Sequence, residues 1–93
     1  MKETITHSSG NVFTDLGFPP EEAAILRMRA DLMAQLRLTI DQHDWTQAEA
    51  AKVLGVQQSR ISDLVRGKWD KFSLDMLVTL ATRAGCKVIL EVA

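Results

Sequence analysis

The chain has 93 residues, 46% hydrophobic and 25% charged, the composition of one small folded domain rather than of a disordered or membrane-embedded polypeptide. Its one cysteine, Cys86, excludes an internal disulfide and a cysteine-only metal cage, and with no run of about 18 apolar residues the expected compartment is the cytoplasm. The net charge of −1 is unevenly spread, with four Lys/Arg against seven Asp/Glu in residues 1–45, five against three in 46–71 and two against two in 72–93.

Residues 1–10 are polar, lack a hydrophobic period and are expected to form a flexible tail, leaving 11–93 as a single domain. The segment NVFTDLGF carries Val12, Phe13, Leu16 and Phe18, which must be buried against the domain or a partner. Pro19-Pro20-Glu21-Glu22 starts a helix, since proline needs no donor in the first turn and carboxylates favour the positive end of the dipole. That helix runs to about His43. Leu26, Ala30, Met33, Leu36 and Ile40 form its buried stripe, while Ile25, Met28 and Leu32 form a second, which serves either a wider core or a dimer or partner contact.

Thr46-Gln47-Ala48-Glu49 is a capping box and opens a second helix, which Gly55 ends. Gln57 to Val65 supplies a third, with Ile61, Leu64 and Val65 at helical spacing and Gly67 as its stop. Ser73 caps a fourth, stapled by Phe72 and Leu77, whose buried face is Leu74, Leu77, Val78 and Ala81. The last stretch, CKVILEV, is too short for another helix and β-branched, so a short C-terminal β-strand is expected. Its pairing partner is the NVF segment, the same strand of a second subunit, or another protein's sheet edge. The fold class is therefore mainly α: a small helical bundle with one short strand.

Gln47 to Gly67 contains two short helices joined at Gly55. Ala51 is small where the helices cross, Gly55 permits the bend, and Ile61 and Leu64 fix the second helix so that its outer face projects. This joint spacing resembles the Cro/repressor-type (Xre) helix-turn-helix family over roughly residues 32–85. With NVFTDLGF and EEAAILRMRADL before the motif and GKWDKFSLDMLVTLATRAG after it, the chain resembles the small HigA-type antitoxin branch of that family. The resemblance implies a DNA-binding repressor of its own operon, acting on a palindromic operator as a homodimer and neutralising a ribonuclease toxin of the RelE/HigB type. A stand-alone Xre-type regulator without a toxin, or a toxin inhibitor with only secondary DNA binding, are the other readings.

The second motif helix offers Gln57, Gln58, Ser59, Arg60 and Ser62 to base edges, since glutamine matches the N6/N7 edge of adenine, arginine the O6/N7 edge of guanine, and serine several edges. Without the motif, the same residues would read as an ordinary solvated face. Gln47 at a helix N-terminus, Arg66, Lys68 and Lys71 are the expected backbone contacts. The resemblance further implies that Gln47 braces Gln57 or Gln58. Trp69 packs either on sugar-phosphate or over the core. Val12, Phe13, Leu16, Ile25, Met28 and Leu32 are the candidate partner or dimer surface. His7 and His43 stand apart from any second catalytic group, no phosphate loop is present, and neither catalysis nor a cofactor or metal is expected.

Overall fold

A computed structural model describes residues 11–93, so the expected tail at 1–10 lies outside the described residues. Five α-helices follow one another: α1 (Val12–Asp15), α2 (Pro20–Gln42), α3 (Gln47–Leu54), α4 (Gln58–Val65) and α5 (Leu74–Arg83), with a 3-10 turn at Trp69–Lys71 between the last two. None of them is long and apolar enough to cross a membrane.

The starts of α1, α2, α3 and α5 follow from local residues. Asn11 accepts from the Phe13 N–H at 2.9 Å and donates to the Ala23 carbonyl at 3.0 Å, so one side chain both opens α1 and ties it to α2. Pro20, Glu21 and Glu22 form the first turn of α2 as expected. The Thr46 hydroxyl accepts from Glu49 N–H at 3.1 Å while the Glu49 carboxylate accepts from Thr46 N–H at 2.9 Å, a complete capping box. Ser73 accepts from Met76 N–H and opens α5.

The helix ends share one device. At the end of α2, Trp45 N–H donates to the Ile40 carbonyl and Asp44 N–H to the Asp41 carbonyl, a Schellman pair with Asp44 in the left-handed region at φ 55°. Glycine takes the left-handed position after the other helices, most consequentially at Gly55 (φ 71°). A Cβ on Gly55 would lie 3.1 Å from Arg83 Nη1. That guanidinium donates to the Leu54 carbonyl at 2.9 Å, so the α3–α4 turn is locked from the end of α5.

Met33, Leu36 and Ile40 of α2, Ala50 and Leu54 of α3, Ile61 and Leu64 of α4, Phe72, and Leu77, Leu80, Ala81 and Ala84 of α5 make one continuous core. Two details differ from the sequence reading. Ala50 rather than Ala51 is fully buried at the helix crossing, with Ala51 at the edge of the core. On α5 the buried line includes Leu80 and Ala84, whereas Leu74 and Val78 are only half-buried because they face α2 across a groove.

The expected C-terminal strand is not formed within the single chain: no strand occurs among the described residues, and 86–93 follow α5 without regular structure. Cys86 N–H closes α5 on the Ala81 carbonyl, and its Sγ lies 3.4 Å from Thr39 Oγ1. A strand exists only by pairing, and the NVF segment offered as one partner is the helix α1 instead.

Candidate nucleic-acid interface

The sequence from Thr46 to Gly67 folds as two helices because each has its own start and stop, and Ile61 and Leu64 then set the rotation of α4 by entering the core. With those two side chains inward, the opposite face of α4 is left to the polar residues. Gln57 is the N-cap, makes no side-chain cap bond, and is exposed. Gln58 and Ser59 form the first turn and are exposed; Ser62 is half-buried one turn later. Gln58, Ser62 and Arg66 follow at four-residue intervals, so they form a line down one side of the helix.

Arg60 is placed differently from the other candidates. Its Nη1 donates to the Lys71 carbonyl at 3.3 Å, and its guanidinium lies 5.6 Å above the centre of the buried Phe72 ring. The side chain thus ties α4 to the loop that follows it, a cation–π contact and a hydrogen bond sharing one guanidinium. Val56, Gln57, Ser59, Arg60 and Met76 line a shallow depression at this end of α4.

The expected backbone contacts surround the helix. Gln47 is the first residue of α3, exposed, where unpaired amides and the dipole favour an anion. Among the described residues no hydrogen bond joins it to Gln57 or Gln58. Arg66, Lys68 and Lys71 are exposed in and after the last turn of α4. Sequence reasoning missed Arg37 of α2, whose Nη1 lies 3.0 Å from where a Gly67 Cβ would stand, adding a cation beside this loop. The available signal was its spacing: Arg37 follows the core residue Met33 by four, so it shares that residue's side of α2.

Trp69 has aromatic neighbours and stays 38% exposed. Phe13 meets it edge-on at 6.2 Å and meets Phe18 at 6.1 Å, so three aromatic rings dock α1 onto the turn after α4. Phe13 is therefore part of the internal packing, while Val12 on the same short helix and its C-cap Leu16 are 58% and 70% exposed. Ile25 and Met28 are partly exposed, and Leu32 packs against the core. Trp45 stacks on His43 at 4.3 Å, and His43 Nδ1 bonds to the Thr39 carbonyl, which gives both a structural role. Among the described residues no three His, Cys, Asp or Glu side chains are grouped so as to hold a metal ion.

A family model described as a helix-turn-helix domain matches residues 12–93. A search of curated proteins gives no match. The family match covers nearly the whole chain, α1 and the C-terminal segment included; the chain belongs to this helix-turn-helix family, which points to a DNA-binding regulator.

Proposed function

We propose that this helix-turn-helix protein is a sequence-specific repressor that binds a palindromic operator as a homodimer, and that it is the antitoxin of a HigBA-type pair, regulating its own operon. The observation that carries the DNA reading is the N-terminal half of α4, where Gln57, Gln58 and Ser59 are exposed together and held by a helix whose other side is locked in the core. Ser62 extends the reading face by one turn. Gln47, Arg66, Lys68 and Lys71 contact phosphates on either side and set register, while Arg60 positions the loop rather than reading a base.

The antitoxin role rests on the first half of the chain. Residues 1–45 are acidic, four Lys/Arg against seven Asp/Glu, which suits a cationic ribonuclease, and Val12 and Leu16 present apolar surface beside that charge. None of these residues belongs to α3 or α4, so the toxin surface adjoins the operator surface through the Phe13–Trp69 contact without including the recognition helix.

Purification of the native operon product tests the proposal. A basic ribonuclease should accompany this chain, and the complex should still shift its own promoter fragment. A chain that purifies without any neighbour-encoded protein and binds its promoter unaided contradicts the antitoxin role; a complex that binds no promoter DNA contradicts autoregulation.

A further inference from the structure

Beyond Cys86, residues 87–93 enter no backbone hydrogen bond among the described residues. Their apolar side chains are also uncovered, with Ile89, Leu90 and Val92 72%, 78% and 87% exposed. The segment lies along one side of a groove of about 450 Å³ whose other sides are Met28, Asp31 and Leu32 of α2 and Leu74 and Val78 of α5, with Val88, Ile89 and Leu90 closing it. Unused donors and acceptors, β-branched residues and an open apolar floor occur in the same place.

We infer that a second copy of this chain covers the segment, its residues 87–91 pairing antiparallel with their own counterparts about a twofold axis at Ile89. The inference rests on the homodimer reading above and assigns its surface. Charge selects the register. With Ile89 opposite Ile89 of the other copy, each Lys87 stands opposite a Glu91 and each Val88 opposite a Leu90. Moving the axis by one residue to Val88 or Leu90 leaves both charges without their partner. An in-register parallel pair sets lysine beside lysine and glutamate beside glutamate, which is repulsive.

The same register satisfies the alternation of a strand. Val88, Leu90 and Val92 fall on one face and Lys87, Ile89 and Glu91 on the other. In the single chain Val88, Ile89 and Leu90 all border the groove; pairing turns the Val88–Leu90 face onto it and Ile89 away, and the ribbon then covers Met28, Leu32, Leu74 and Val78 of both copies. An interface that returns each residue's contact to its mate is the isologous kind that closes as a dimer rather than growing into a filament. It also leaves α4 free, because Leu74 and Val78 line the groove whereas Met76, on the opposite side of α5, lies beside Gln57, Ser59 and Arg60.

Charge reversal measured by sedimentation equilibrium tests the pairing. The natural chain should give a particle of twice 10.4 kDa. Lys87→Glu alone, or Glu91→Lys alone, should raise the dimer dissociation constant by roughly tenfold or more, since two attractive pairs become two repulsive ones. Mixing the two single variants should restore dimers as heterodimers, and the double exchange in one chain should restore homodimers. Both Lys87 and Glu91 are exposed in the single chain, so the variants keep the helical circular dichroism of the parent. Single variants that dimerise like the parent, mixtures that do not re-associate, or a parent that stays monomeric each overturn the pairing and leave the DNA reading standing. Binding of a two-half-site duplex by the parent chain reports on α4 separately, and its absence overturns the DNA reading without touching the strand.

Discussion

Individual residues around the motif have roles that mutation can separate. Gln58 and Ser59 are exposed at the start of α4, where only a base edge or water can satisfy them, whereas Lys68 is a cation on a loop. Replacing Gln58 or Ser59 by alanine should cost about 1–3 kcal/mol on the cognate operator and little on random duplex. Lys68→Ala should weaken both equally and reduce the slope of log K against log salt by about one. Fluorescence anisotropy over a salt series distinguishes these; equal loss of specificity from both kinds of variant contradicts the assignment. Arg60→Ala should act through stability, lowering the melting temperature with the loss of its bond to the Lys71 carbonyl and its contact with Phe72. At Gly55, alanine meets both a left-handed backbone and the Arg83 guanidinium, and should destabilise by roughly 2 kcal/mol. Asp44→Gly should have the opposite sign, a gain of a few tenths to about 1 kcal/mol, since the left-handed turn after α2 is there occupied by a residue with a Cβ. Thermal denaturation of the two variants reads both signs.

At the scale of elements, α1 is held by Asn11 to the Ala23 carbonyl and by Phe13 to Trp69, yet it contributes nothing to the continuous core. Deleting residues 1–18 should therefore leave α2–α5 folded and operator binding intact, expose Trp69 to water with a red-shifted emission, and abolish binding of the toxin. Unfolding of the truncated chain, or toxin binding that survives the deletion, contradicts the separation of surfaces. How much of this was legible in the sequence depends on where the determining contacts lie. The starts and stops of α2 to α5 are written in local residues, Pro20, Thr46 with Glu49, Gly55 and Ser73, and needed no tertiary knowledge. A helix of four residues at Val12–Asp15 is stable only through its contacts with α2 and Trp69, which no local pattern announces. The C-terminal segment has the composition of a strand, but composition does not supply the partner backbone. Arg60 is alike in sequence to its polar neighbours; the 3-10 turn that brings Phe72 and the Lys71 carbonyl to it gives it a separate role.

For the whole molecule, one recognition helix reads only a few base pairs, and the proposed dimer sets two such helices on paired half-sites about 34 Å apart, which raises affinity and specificity. The distribution of charge supports a division of labour along the chain, the acidic first half for a protein partner and the basic middle for nucleic acid. The most direct test of the central claim is the specificity ratio of the full-length chain, measured by anisotropy at physiological salt on the duplex it selects from a randomised pool and on a scrambled duplex of the same length. Binding through α4 predicts a selected site with twofold symmetry, bound about 10³-fold or more tightly than the scrambled duplex, with that ratio collapsing in Gln58→Ala. Equal affinity for the two duplexes, or a ratio that Gln58→Ala leaves unchanged, contradicts it.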